Sequence, residues 1–279
     1  MQNIVSMKWL LARIYEPDLV IADCRFLLND PDAGKNAYMK ERIPGAVYFD
    51  LERDLSLPVG AHGGRHPLPD PDTLARVFGR AGIDASTRVV AYDDQGGTMA
   101  SRFWWMLRYL GHDQVFVMDE GFTAWKNAGY PLTSDAPAVR VPTRFKPQPR
   151  REMLATVEDV RAKLGSSDAT LIDSREERRY LGLEEPIDPV AGHIPSALSR
   201  FWKDALTAEG RWKDADAQQA RFADIPRDRE VIVYCGSGVS ACPNVLALSE
   251  AGYTNVKLYA GSWSDWISYN ENPIATGEE

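Results

Sequence analysis

The 279-residue sequence predicts an α/β protein made of two tandem domains, each a mainly parallel sheet flanked by helices. Short β-branched runs alternate with segments of helical pattern, which is typical of strand–helix units on a parallel sheet. The same motifs occur twice, in the same order and at one long offset, which indicates an internal duplication. A proline-rich stretch separates the two copies and predicts a semi-rigid linker at 134–152.

The first copy, predicted for residues 1–133, alternates strands and helices around one long loop. Strands are predicted at 19–25, 88–92 and 114–118, and helices at 6–11, 73–82, 99–110 and 122–128. Residues 58–72 are rich in glycine, proline and histidine, so they are expected to form a loop.

The second copy, predicted for residues 153–279, repeats this succession. Asp173 and Arg175 repeat the Asp-x-Arg strand end of Asp23 and Arg25. Other motifs recur in step with it, namely the Ile-Pro turn at 43–44 and 194–195, and the apolar strand at 89–92 and 231–234. Because ligands of parallel sheets bind beyond the carboxyl ends of the strands, the functional site is expected there.

Composition limits the partners and cofactors that the chain is expected to have. A formal net charge of −8 argues against nucleic acid and anionic membranes as partners. Three scattered cysteines are too few for a disulfide framework or a four-ligand zinc site, so we expect a reducing, cytoplasmic location and no metal. We also expect no organic cofactor, no signal peptide and no membrane span.

Cys235 lies at the point where a predicted strand ends and a glycine-containing loop leads into a helix. A helix start presents unpaired N–H groups and partial positive charge, and Gly236 and Gly238 allow the backbone amides to curl inward. These features favour the thiolate form of Cys235 and would also hold a persulfide or an oxyanion. The alternative is a buried structural cysteine beside a turn.

The duplication provides an internal control for this loop. Asp93 of the first copy aligns with Cys235 of the second. A carboxylate can satisfy a ring of N–H groups permanently, so the first copy is expected to be catalytically silent and the second to react.

On these residues the chain resembles the tandem-domain rhodanese family of sulfurtransferases. Its Cys-Gly-Ser-Gly-Val-Ser loop at 235–240 is similar to the loop of mercaptopyruvate sulfurtransferases. The resemblance implies that Cys235 takes a sulfane sulfur from a small anionic donor, 3-mercaptopyruvate or thiosulfate, and becomes a persulfide. A thiol acceptor, either a small thiol or a thioredoxin-like protein, or cyanide then removes the sulfur.

The resemblance also implies a set of donor-binding residues. Loop residues Gly236, Gly238, Val239 and Ser240 and the arginine of a Gly-Arg-Tyr-like segment, here Arg179, are expected to bind the donor. Mercaptopyruvate enzymes carry a second arginine nine residues later, where this chain has Asp188. We hypothesise that Arg65, in the loop of the first copy, restores this charge. A purely surface role for Arg65 is the alternative.

A proton-donating relay is a further expectation from the resemblance. His66 and Ser237 match a histidine and a loop serine of mercaptopyruvate enzymes, and Glu52 stands where the family has an aspartate. Such a relay could protonate the departing enolate of pyruvate. Otherwise Ser237 only shapes the loop and His66 is an ordinary loop residue.

Two other functions compete with sulfur transfer. Cysteine phosphatases also place a thiolate in a helix-start loop, but they close that loop with an arginine, and no arginine lies between Cys235 and Glu250. A non-catalytic rhodanese-like binding or regulatory module is the second rival, and the intact Cys235 loop argues against it.

Overall fold

A computed structural model describes residues 3–137 and 139–278, which divide into two compact units. The first unit comprises the chain up to Leu57 together with Pro69–Arg150 and Ala208–Arg211. The second comprises Pro58–Leu68, Arg151–Thr207 and the chain from Trp212 onward. Met1 and Gln2, in the predicted first domain, Ala138, in the predicted linker, and Glu279, in the predicted second domain, lie outside the described residues.

The first unit contains one five-stranded sheet with the strand order β1-β5-β4-β2-β3. Its strands are β1 (Ile4–Val5), β2 (Leu19–Asp23), β3 (Ala46–Tyr48), β4 (Arg88–Tyr92) and β5 (Val115–Met118). Its helices are α1 (Met7–Leu11), α2 (Ala33–Lys40), α3 (Pro71–Arg80), α4 (Thr98–Tyr109) and α5 (Phe122–Asn127). The bounds of β2, β4, β5, α1, α3, α4 and α5 lie within two residues of the predicted ones, whereas β1 and α2 were not predicted.

The second unit repeats this arrangement, with the strand order β6-β10-β9-β7-β8. Its strands are β6 (Leu154–Ala155), β7 (Ala169–Asp173), β8 (Ala197–Ser199), β9 (Glu230–Tyr234) and β10 (Val256–Tyr259). Its helices are α6 (Val157–Lys163), α7 (Glu177–Tyr180), α8 (Ala215–Arg221), α9 (Cys242–Glu250) and α10 (Ser262–Trp266). Short 3₁₀ helices occur at Arg151–Met153 and Trp202–Ala205.

The two sheets confirm the predicted fold class. Within the described ranges, all of their strand pairings are parallel. All five residues of β2 and all five of β7 are buried, as expected for strands covered on both faces. The matching strand order of the two units is the structural counterpart of the repeated motifs.

A buried ion pair closes the end of the equivalent strand in each unit. Arg25 donates to Asp23 over 2.6 Å, and Arg175 donates to Asp173 over the same distance. The two arginines also donate to the backbone oxygens of Glu41 and Gly192, respectively, so each pair secures the turn that follows. All four charged side chains are therefore stabilised by partners inside the fold.

The predicted linker has no helix or strand at 134–137 or 139–150, and up to Arg150 it is part of the first unit. The amide of Thr143 donates to the carbonyl of Gly79 over 2.8 Å, and the amide of Gln148 donates to that of Leu110 over 2.9 Å. Within the described residues, no helix has the length and apolar character needed to cross a membrane.

The segment Pro58–Leu68 belongs to the second unit although it follows β3 of the first in sequence. The Gly63 amide donates to Asp265 over 2.6 Å, and the Arg65 amide donates to Ser264 over 3.0 Å. The ring of His62 stacks on that of Tyr269, with ring centres 4.0 Å apart. These contacts bring the Arg65 and His66 side chains to the unit that contains Cys235.

Candidate active site

Cys235 follows β9 at the carboxyl edge of the second sheet and is only 1% exposed. Its amide donates to the Ser262 hydroxyl over 3.1 Å, and its carbonyl accepts from the Trp263 amide over 2.9 Å. Ser262 has a φ of +57° and donates in turn to the Tyr259 carbonyl over 2.9 Å. The first residues of α10 therefore fix the position of the Cys235 backbone through two hydrogen bonds. Ser262 had no predicted role, because a serine at a helix start has many ordinary uses.

Two glycines make the Cys235 loop possible. Gly238 has a φ of +74°, and a Cβ atom added there would lie 2.1 Å from the Ala260 carbonyl oxygen. A Cβ atom added at Gly236 would lie 2.7 Å from Nη2 of Arg65. Position 238 thus requires glycine both for its positive φ and because the Ala260 carbonyl packs directly against it. Glycine at position 236 leaves room for the Arg65 side chain to contact the loop.

The equivalent loop of the first unit shows what its backbone amides can hold. One oxygen of the buried Asp93 accepts from the amides of Gln95 and Gly97, each over 2.9 Å. The other oxygen accepts from the amides of Met99 and Ala100, over 2.8 and 3.0 Å. Burial raises the pKa of Asp93, and these amide hydrogen bonds counter part of the rise.

The aligned positions of the second unit are Ser237, Val239, Ala241 and Cys242. The Cys242 amide differs from its counterpart, since it donates to the Val239 carbonyl over 3.1 Å. The loop around Cys235 therefore shares three of the four amide positions that hold Asp93, namely those of Ser237, Val239 and Ala241.

Ser237 and His66 lie side by side in the second unit. Oγ of Ser237 is 2.8 Å from Nδ1 of His66, and both residues are buried. The third proposed relay member, Glu52, is an exposed residue of the first unit. Ser237 and His66 therefore form a hydrogen-bonded pair within the second unit. The role of Glu52 as the carboxylate of the relay stays a prediction.

Asp188 joins Arg65 and Arg179 in one ion-pair network. Arg65 donates to the two Asp188 oxygens through Nε over 2.8 Å and through Nη2 over 3.3 Å. Nη2 of Arg179 donates to Asp188 over 3.2 Å. The position of a Gly236 Cβ atom is 3.6 Å from this Arg179 nitrogen, so the network lies against the Cys235 loop.

Glu185 also belongs to this network, and sequence reasoning did not single it out. It accepts from Nη2 and Nε of Arg179 over 2.7 and 3.0 Å, and from Arg175 over 3.2 Å. Its side chain is 4% exposed. Glu185 lies in an acidic stretch that also contains the half-exposed Glu184, so its residue type alone did not distinguish it.

The second unit brings together most of the predicted site residues. The loop residues Gly236, Ser237, Gly238 and Val239 are buried and Ser240 is partly exposed. Arg65 and Arg179 reach the loop at Gly236, and His66 reaches it at Ser237. The structure thus gathers a thiol, a histidine–serine pair and two guanidinium groups around one loop.

Comparison with known proteins agrees with this architecture. Residues 6–128 and 156–269 each match the rhodanese-like domain family. The chain belongs to the rhodanese family, and it is an enzyme of the sulfurtransferase class.

Named relatives place the chain among the two-domain sulfurtransferases. It is 45% identical to a probable 3-mercaptopyruvate sulfurtransferase of Pseudomonas aeruginosa, over 99% of each chain. It is 34% identical to the thiosulfate sulfurtransferase of Rattus norvegicus, over 95% of this chain and 91% of that protein. The crystal structure of SseA from Escherichia coli, a 3-mercaptopyruvate sulfotransferase, superposes with a TM-score of 0.82 at 31% identity, covering 95% of this chain and all of SseA.

Proposed function

We propose that this enzyme moves a sulfane sulfur from 3-mercaptopyruvate or thiosulfate to a thiol or cyanide through a persulfide on Cys235. One observation carries the proposal: Cys235 is equivalent to Asp93, whose carboxylate is held by four backbone amides in the matching loop of the first unit, here called the twin loop. A backbone that binds a carboxylate there is suited to bind a thiolate or a terminal persulfide sulfur. The first domain, proposed for residues 1–133, would then be catalytically silent.

The reaction is proposed to proceed in two transfers. The Cys235 thiolate attacks the transferable sulfur, and the bond from that sulfur to the rest of the donor breaks. The electron pair of that bond leaves with sulfite, or with the enolate of pyruvate, which then takes up a proton. In the second transfer an acceptor thiolate or cyanide attacks the outer sulfur of the persulfide and releases the Cys235 thiolate.

The surrounding side chains have distinct proposed roles. Arg179 and Arg65 bind the donor anion, together with the loop residues Gly236, Gly238, Val239 and Ser240. The pair formed by His66 and Ser237 delivers a proton to the departing enolate, which their 2.8 Å contact beside the loop supports.

The proposed acceptor is a small thiol, a thioredoxin-like protein or cyanide, and the proposed location is the reducing cytoplasm. Three free, buried cysteines support a reducing environment, because none of them is committed to a disulfide.

Mass spectrometry tests the persulfide directly. Intact protein treated with 3-mercaptopyruvate or thiosulfate is expected to gain the mass of one sulfur atom, which peptide mapping assigns to Cys235. Addition of cyanide or a thiol is expected to remove it. Stoichiometric sulfur loading on Cys24 or Cys242, or no loading by either donor, would contradict the proposed mechanism.

The donor-binding role of Arg179 can be tested against its neighbour. Replacing Arg179 with alanine is expected to lower kcat/KM for the donor about 10- to 100-fold, because a charge-assisted contact to the anion is lost. Arg178→Ala is the matched control, since the Arg178 side chain is 64% exposed and pairs with Glu184 over 2.9 Å. Steady-state kinetics should also show a raised donor KM for Arg65→Ala. Equal effects of the Arg178 and Arg179 variants would argue against a specific anion site.

A further inference from the structure

Asp188 holds an unusual place for a carboxylate in a site that binds anions. Its side chain is only 2% exposed and contacts the guanidinium groups of both Arg65 and Arg179. Its amide donates to Glu185 over 3.1 Å, so backbone and side chain both belong to the network. A carboxylate buried to this degree persists because it is paired.

Within the part of the chain that the structure describes, Arg65 and Arg179 each keep one guanidinium nitrogen without a hydrogen-bond partner. Arg65 contacts Asp188 through Nε and Nη2, and Arg179 contacts acidic oxygens through the same two nitrogens. Among the described residues, Nη1 of Arg65 and Nη1 of Arg179 have no hydrogen-bond acceptor. Asp188 therefore holds the guanidinium groups of Arg65 and Arg179 in place and leaves one nitrogen of each to donate to an incoming anion.

The charges of the network cancel. Three cationic and three anionic side chains are linked by the ion pairs, namely Arg65, Arg175, Arg179, Asp173, Asp188 and Glu185. An anion entering this site does not meet the surplus of positive charge that two uncompensated arginines would present. The repulsion from each fixed carboxylate grows in proportion to the charge of the anion.

We infer that Asp188 is a specificity-determining residue that favours singly charged donors over doubly charged ones. This inference rests on the proposed function, in which the two arginines bind the donor. 3-Mercaptopyruvate carries one carboxylate, whereas thiosulfate is a dianion, and the dianion meets about twice the repulsion from Asp188. Through its bond to Arg65, Asp188 also holds the loop that presents His66 to Ser237.

Equilibrium binding separates this inference from the transfer chemistry. In a Cys235→Ala background, which cannot form a persulfide, calorimetry would measure the Kd values for thiosulfate and for pyruvate. Asp188→Asn is expected to shift the ratio of the two affinities about tenfold toward thiosulfate, since only the charge of a near-isosteric side chain changes. Glu184→Gln is the control, because it removes a negative charge from an exposed position of the same segment.

The possible outcomes distinguish the two claims. A shift toward thiosulfate in Asp188→Asn but not in Glu184→Gln supports the specificity role, and the same shift is then expected in kcat/KM for the two donors in proteins with an intact Cys235. An unchanged affinity ratio overturns that role, even if Cys235 accepts sulfur normally. Conversely, absence of a Cys235 persulfide together with a shifted affinity ratio would overturn the proposed mechanism and leave the anion selectivity supported.

Discussion

Replacing Cys235 with serine is expected to reduce donor-dependent sulfur transfer by about 10⁴-fold or more. A serine hydroxyl remains protonated in the same cradle and cannot form the sulfur–sulfur bond that carries the transferred atom. The rate can be measured as thiocyanate formation from cyanide with each donor. The variant should keep the fold, because oxygen replaces sulfur at one buried position without a change of backbone.

A second buried thiol supplies the control for this experiment. Cys24 follows β2 in the first unit, where its amide donates to the Tyr92 carbonyl over 2.8 Å, as the Ser174 amide does to Tyr234 over 2.9 Å. Cys24→Ala retains that amide and is expected to transfer sulfur at close to the wild-type rate. If Cys235→Ser kept more than about a tenth of the activity, the persulfide would have to form elsewhere.

Replacing Gly238 with alanine is expected to impair both stability and catalysis. At a φ of +74° an alanine is strained by about 1–2 kcal/mol, and its Cβ atom would lie 2.1 Å from a backbone oxygen that cannot rotate away. The loop must shift, which moves the backbone amides that we propose hold the Cys235 thiolate. We expect a loss of about 2–4 kcal/mol in the free energy of unfolding and about a 100-fold loss in kcat/KM.

The twin loop again supplies a matched substitution. Gly96 aligns with Gly238 and has a φ of +71°. Gly96→Ala should therefore carry the same backbone strain but leave sulfur transfer intact under conditions in which the protein remains folded. Denaturant unfolding and donor kinetics on both variants would show the contrast. A catalytic defect as large in Gly96→Ala as in Gly238→Ala would contradict the proposal that only the Cys235 loop takes part in sulfur transfer.

Local pattern and the internal duplication were sufficient to predict the fold and the strand–loop–helix arrangement around Cys235. Three neighbouring segments form the loop region: the β-branched run at Val231–Tyr234, the glycines after Cys235 and the apolar helix that follows. Because they are adjacent in sequence, their order along the chain predicts their arrangement in the fold. The alignment of Asp93 with Cys235 likewise predicted a carboxylate facing amides, and four amide hydrogen bonds to Asp93 are present.

Contacts between distant segments could not be predicted from local pattern, and the pairing of His66 with Ser237 was expected only from the family resemblance. No periodicity in Pro58–Leu68 indicates that this loop joins the second unit, yet that placement brings Arg65 to Asp188 and His66 to Ser237. Glu185 reads as an ordinary surface acid until its burial and partners are known, and the resemblance marks Asp188 only as a departure from a family arginine, without indicating that it is buried between two arginines. Strand, loop and helix follow from steric preferences of adjacent residues, whereas the charge balance around Cys235 depends on which remote side chains the packed fold places within hydrogen-bonding distance.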